Sequence, residues 1–190
     1  MTPAPHHAEY SHFASATSKP EAYAQVVSAL TALVDAQRNW VCNLANAASL
    51  LWHMYHEALA VPTGAAVNWA GFYVLDPSTS TGGGGGGGLI LGPFMGKVAC
   101  QTIALGKGVC GTAAAGGGQS LVVPDVEAFP GHIACDGETK SEIVVPIRAA
   151  EGGKVVGVID IDCMQLNGFD DQDREGLENV AALLGSACDW

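Results

Sequence analysis

The stretch FPGHIACDGETKSEIVVP, residues 129 to 146, sets one thiol, Cys135, between a proline-glycine bend and the acids Asp136, Glu138 and Glu142. Acids discourage a thiolate, so if this cysteine reacts they must serve some other partner. Further along, KVVGVIDID carries Asp160 and Asp162 two residues apart, hence on one face of a strand. The same alternation puts Glu142, Val144 and Pro146 on one side of the preceding strand and Ile143, Val145 and Ile147 on the other. A three-residue loop of Glu151, Gly152 and Gly153 pairs Ala150 with Lys154, and therefore Val144 with Asp160 and Glu142 with Asp162. Val155, Ile159 and Ile161 then form the apolar side of the second strand, with Val156 and Val158 among the acids. Three carboxylates converge. Like charges directly opposite on a sheet repel, and burial raises a carboxyl further, so one of the three keeps its proton near neutral pH and can act as a general acid. The alternatives are a solvated face of ordinary surface acids, or a two-residue loop that scatters them.

Other candidates look toward the same side. Trp69 and Tyr73, four apart in VNWAGFYVL, share a strand face, and Gly71 between them leaves a gap that a ligand could enter. Aromatic walls suit a sulfur-bearing or cationic group, although ordinary core packing explains either residue alone. Cys100 and Cys110 join Cys135 in or beside loops. With His132 these thiols lack the C-x-x-C spacing of a zinc site, and no metal or cofactor is expected. His53, His56 and Glu57 read as a solvated helix face, and Cys42, Cys163 and Cys188 as small apolar fillers.

The elements that must position these residues follow from period and punctuation. Ser18 caps a helical pattern with Glu21 three residues on, and residues 20 to 60 read as two helices or one bent helix. VNWAGFYVL, KVACQTIAL, SLVVP, SEIVVPI and KVVGVIDID read as strands. Asp170 or Asp171 caps a final helix with Leu177, Val180, Ala181 and Leu184 facing inward. This order predicts a single α+β domain over residues 18–190, a mostly antiparallel sheet with the terminal helices on one face. Residues 1–17 and the glycine run 82–88 are expected to be flexible. A net charge of −11 with eight Lys and Arg excludes a nucleic-acid footprint and an anionic membrane surface as partners. Without a signal peptide or membrane span, the expected setting is the reducing cytoplasm, where any disulfide is transient and catalytic.

NWAGFYVL, GPFMGKVACQTIALGKGVCGTAA, VPDVEAFPGHIACDGETKSEIVVPI and GVIDIDC resemble the free methionine-(R)-sulfoxide reductases, enzymes built on the GAF domain. The resemblance covers most of residues 20 to 187, and the glycine tract is its main departure. It implies a GAF-like six-stranded antiparallel sheet and, as substrate, free methionine sulfoxide. It further implies that Cys135 attacks the sulfur, that Glu142, sharing its proton with Asp160 or Asp162, protonates the oxygen and binds the amino group, and that Trp69 and Tyr73 enclose the methyl sulfoxide end. Cys100 is the first resolving thiol and Cys110 the alternative, with Cys110 as nucleophile still open. His132 or backbone N–H groups of the turn could activate Cys135. A thioredoxin-type reductant reopens the disulfide, and a homodimer stays open. The competing reading is a stand-alone GAF sensor of small molecules or oxidants, without turnover.

Overall fold

Ser18 accepts a hydrogen bond from the Glu21 backbone N–H and starts α1 (Lys19–Leu33), whose Ala22, Tyr23, Val26 and Leu30 are buried. Asn39 caps α2 (Trp40–His53), which runs on through a π turn, Met54–Ala58. Six strands follow: β1 (Val67–Asp76), β2 (Gly88–Gly96), β3 (Thr102–Ala104), β4 (Leu121–Val123), β5 (Ser141–Arg148) and β6 (Val155–Cys163). A short helix, α3 (Gly108–Ala114), separates β3 from β4, and α4 (Asp171–Ala187) follows β6. Asp170 and Asp173 form a reciprocal capping box at the start of α4. The computed structural model describes Phe13, Ala16 and residues 18–59, 66–78, 87–132 and 136–190. The predicted flexibility of residues 1–17 and 82–88 falls largely outside these. However, Phe13 and Ala16 pack on the core, and Gly88 pairs with Asp76 and Ala104.

The strands form one antiparallel sheet in the order β3-β2-β1-β6-β5-β4. Helices α1, α2 and α4 cover one face, where Ala70, Phe72, Ile143, Val145, Ile147, Ile159 and Ile161 meet Leu30, Leu44, Leu51, Leu177, Val180 and Leu184. The opposite face carries Trp69, Tyr73, Val144 and Val158 against Val109, Cys110 and Ala113 of α3. Alternation along the strands thus separates a helix-side core from a smaller core where the acids lie. Among the described residues no helix is long and apolar enough to cross a membrane.

Three local features differ from the sequence expectations. The strand expected over residues 97 to 105 is mostly loop with the short β3, whereas β2 lies just before it. Gly92 and Pro93 occupy a bulge opposite β1, between the pairs Tyr73–Leu91 and Gly71–Phe94, beyond the stretch that pairs with β3. The helix α3 was not expected, because its small residues carry no strong period.

The third difference is at the hairpin, where Glu142 does face Asp162 and Val144 does face Asp160, as predicted, but by another route. Ala149 N–H donates to the Lys154 carbonyl, so the loop has one residue more than expected, and a bulge at Val156 restores the register. Gly152 and Gly153 take the left-handed conformations the loop needs, with φ of 75° and 61°. One consequence reverses an assignment: Val156 packs with the helix-side core and Val155 with the acid side.

Helix α4 lies close on β5. A Cβ built on Gly185 comes 2.0 Å from the Arg148 carbonyl oxygen. Gly185→Ala is therefore expected to destabilise the fold by roughly 1–3 kcal/mol through overpacking, outweighing the helix-propensity gain of about 1 kcal/mol. Chemical denaturation checks this, and an unchanged midpoint would mean that the contact can open at no cost.

Candidate active site

The sheet face opposite the long helices ends in a pocket of about 40 Å³ lined by Trp69, Tyr73, Cys110, His132, Glu142, Asp160 and Asp162. Strand pairing brings the acids together: Glu142 and Asp162 are opposite, Asp160 sits diagonally, and α3 lowers Cys110 onto them. The Cys110 Sγ donates toward Glu142 Oε1 at 3.8 Å, and Asp160 Oδ1 is buried with no hydrogen-bond partner. Glu142 and Asp160 are each only 6% exposed, which decides their electrostatics.

Burial, reinforced by the charges of Asp160 and Asp162, pushes the Glu142 carboxyl well above the usual range. Burial likewise raises Asp160 to about 6 and Asp162 well above its ordinary value. The convergence predicted from spacing is present. The Cys110 thiol is also pushed well up, by burial first and then by the charges of Asp160 and Glu142. His132 places Nε2 3.9 Å from Glu142 Oε2, and burial lowers its pKa, favouring the neutral ring.

Trp69 and Tyr73 do share the face, with stacked rings 5.9 Å apart. The gap expected at Gly71 is absent: a Cβ there meets Phe94 Cβ at 2.3 Å, and Phe94 itself stacks on Trp69 at 5.2 Å. The two aromatic residues also hold a loop. Trp69 Nε1 donates to the Lys97 carbonyl and Tyr73 Oη to the Cys100 carbonyl, at 3.1 and 3.0 Å. Lys97 in turn pairs with Glu138 and Asp136 across the pocket mouth.

Cys100 stands in a disulfide, and Cys110 is a free thiol. Cys135 lies outside the described residues. Of the supposed fillers, Cys163 and Cys188 are buried but Cys42 is exposed on α2, because its position faces away from the sheet. His53 pairs with Glu57, and His56 stacks on Trp52.

Residues missed from sequence enter through bulges and loops. Asn68 is the extra residue of a bulge in β1, and its Nδ2 donates to Asp136 Oδ2 and Thr139 Oγ1 at 3.2 and 3.1 Å. Simple alternation assigns Asn68 to the helix side, so no signal in the pattern pointed to it.

If the Tyr73 hydroxyl holds the loop, Tyr73→Phe should loosen residues 97–101 while keeping the ring stack. One hydrogen bond of about 1 kcal/mol corresponds to amide exchange roughly fivefold faster across that loop. Unchanged exchange there would show that the hydroxyl does not restrain it.

A six-stranded antiparallel sheet, helices layered on one side and a small acid-lined pocket on the other, defines a GAF domain, and the GAF domain family model matches residues 45–189. A solved GAF domain superposes with a TM-score of 0.87 at 51% identity, covering 100% of both chains. The free methionine-R-sulfoxide reductase of Saccharomyces cerevisiae is 53% identical over 96% of this chain and 94% of its own length. The structure of the free methionine-R-sulfoxide reductase from Neisseria meningitidis in complex with its substrate matches with a TM-score of 0.78 at 37% identity, over 93% of each chain. The chain belongs to the free methionine-R-sulfoxide reductase family.

Proposed function

We propose that this protein reduces free L-methionine-(R)-sulfoxide to methionine in a reducing, cytoplasmic setting. The observation that carries the reading is the meeting of buried Glu142 and Asp160 with half-buried Asp162 in the pocket that Trp69 and Tyr73 also line. A sulfoxide is a poor electrophile until its oxygen takes a proton, and a carboxyl kept protonated by burial and by neighbouring acids can supply one at neutral pH.

Cys135, as thiolate, attacks the substrate sulfur while Glu142 delivers a proton to the oxygen. The oxygen passes to Cys135 as its hydroxyl, methionine leaves with both electrons, and Cys135 is left as a sulfenic acid. Cys100 condenses with it, expelling water and forming a disulfide, and a thioredoxin-type dithiol reopens the bond by exchange. The disulfide-bonded state of Cys100 supports its resolving role. Trp69 and Tyr73 wall the methyl end, and Glu142, with Asp160 and Asp162 beside it, binds the amino group.

A second reading makes Cys110 the nucleophile, since its sulfur faces Glu142 at 3.8 Å. Its burial and raised pKa weigh against a thiolate there.

The test is direct: racemic free methionine sulfoxide is incubated with the protein and a dithiol reductant. Half the substrate should be consumed, with the S epimer remaining. Loss of neither epimer would return the protein to the sensing role open to any GAF domain.

A further inference from the structure

We propose that Cys110, Glu142 and Asp160 form a three-donor site for a thiophilic divalent cation of the zinc class, occupied in the reduced protein in competition with substrate. One sulfur and two carboxylate oxygens, from α3, β5 and β6, lie within 4.8 Å of one another, and all three residues are buried. A four-coordinate ion holding sulfur at about 2.3 Å and oxygen at about 2.0 Å sets its donors about 3.5 Å apart. The separation of 3.8 Å between Cys110 Sγ and Glu142 Oε1 is close to that edge.

The second observation is Asp160, a residue of the pocket lining whose Oδ1 is buried without a hydrogen-bond partner. A buried carboxylate oxygen left without a donor can be satisfied by a cation. This cluster differs from the arrangement of Cys100, Cys110, Cys135 and His132 that cysteine spacing argued against: two of its three donors are strand acids.

Donor chemistry selects the ion. Magnesium and calcium are hard cations that take oxygen ligands, and a thiolate donor does not suit them. A thiolate with two carboxylates suits zinc or cadmium, and on binding the Cys110 thiol and the Glu142 carboxyl release their protons to solvent. A fourth position is available to water or to His132, whose Nε2 is 3.9 Å from Glu142 Oε2. The pocket volume of about 40 Å³ holds an ion with one or two waters.

Metal binding at this cluster does not depend on the proposed reductase activity; only the competition does. The experiment uses the full chain with Cys42→Ser, Cys100→Ser and Cys135→Ser, so that neither the exposed Cys42 nor the loop thiols can bind metal or form a disulfide. Zinc chloride is titrated by calorimetry, and cadmium chloride by the ultraviolet thiolate-to-metal band. The expected result is one ion per protein, loss of the cadmium band on adding Cys110→Ser, and affinity weakened roughly tenfold or more by Asp160→Asn. Methionine sulfoxide should raise the apparent Kd for zinc. Circular dichroism verifies that each variant is folded, and Asp160→Asn keeps the test decisive should Cys110→Ser fail to fold. No saturable binding, or a cadmium band that survives Cys110→Ser, overturns the site. Binding that methionine sulfoxide does not weaken overturns the competition, while turnover of racemic substrate by the unmodified protein reports separately on the reductase reading.

Discussion

Replacing Cys135 by serine is expected to abolish single-turnover formation of methionine, by roughly a thousandfold or more, because removing an attacking group removes the covalent route. Quenched-flow measurement of methionine formed per protein, without reductant, is the readout. In the same assay Cys100→Ser should still yield one methionine per protein, since the chemistry precedes the disulfide, but thioredoxin-supported recycling should stop. Cys110→Ser separates the two candidate nucleophiles. Its sulfur is near Glu142 yet sits in a buried, acid-crowded environment that disfavours the thiolate, so methionine formation should persist. Should Cys135→Ser retain its single turnover and Cys110→Ser lose it, the roles exchange: Cys110 attacks, and the acids must first hand its proton away.

What the sequence disclosed depended on whether a pattern was periodic. The alternation in SEIVVPI and VIDID placed Glu142, Asp160 and Asp162 on one face, because period-two patterning fixes a face once a hairpin is assumed. The capped helices α1 and α4 were legible for a similar reason: Ser18 and Asp170 precede strongly periodic runs. Bulges are not periodic, and each one hid something. The residue inserted at Val156 offset a loop longer than assumed, so the acid register came out as expected while Val155 and Val156 exchanged faces. The bulge at Asn68 turned a polar side chain toward Asp136 and Thr139, and β2, with its bulge at Gly92 and Pro93, was not read as a strand. The space over Gly71 could not be judged without knowing that Phe94 lies across from it on the neighbouring strand. Long-range pairing decides such contacts, and local pattern carries no record of it.

Glu142→Gln is expected to slow the chemical step by about 10²- to 10⁴-fold, the usual contribution of a positioned acid, while making the protein more stable at neutral pH. Both effects come from one cause. Burial and the charges of Asp160 and Asp162 raise the Glu142 carboxyl well above its ordinary value, and Asp160 rises from 3.8 to about 6. The folded chain therefore holds these protons more tightly than the unfolded chain does. For such carboxyls the stabilisation is complete below the unfolded value near 4 and is lost as pH rises through the folded value. Glutamine keeps the shape of the protonated acid but has no proton to lose, so the variant escapes part of this decline. The gain should be on the order of 1–3 kcal/mol at pH 7.5, or a few degrees in Tm at about 2–4 °C per kcal/mol for a chain of this size. The wild-type single-turnover rate should also fall as pH rises through the raised carboxyl value, an arm that the variant lacks. An unchanged pre-steady-state rate would remove Glu142 as the proton donor. A lowered Tm would mean that the carboxylate is ionised in the folded state, held by a protonated His132 at 3.9 Å, and the proton for the sulfoxide would then have to come from the imidazolium.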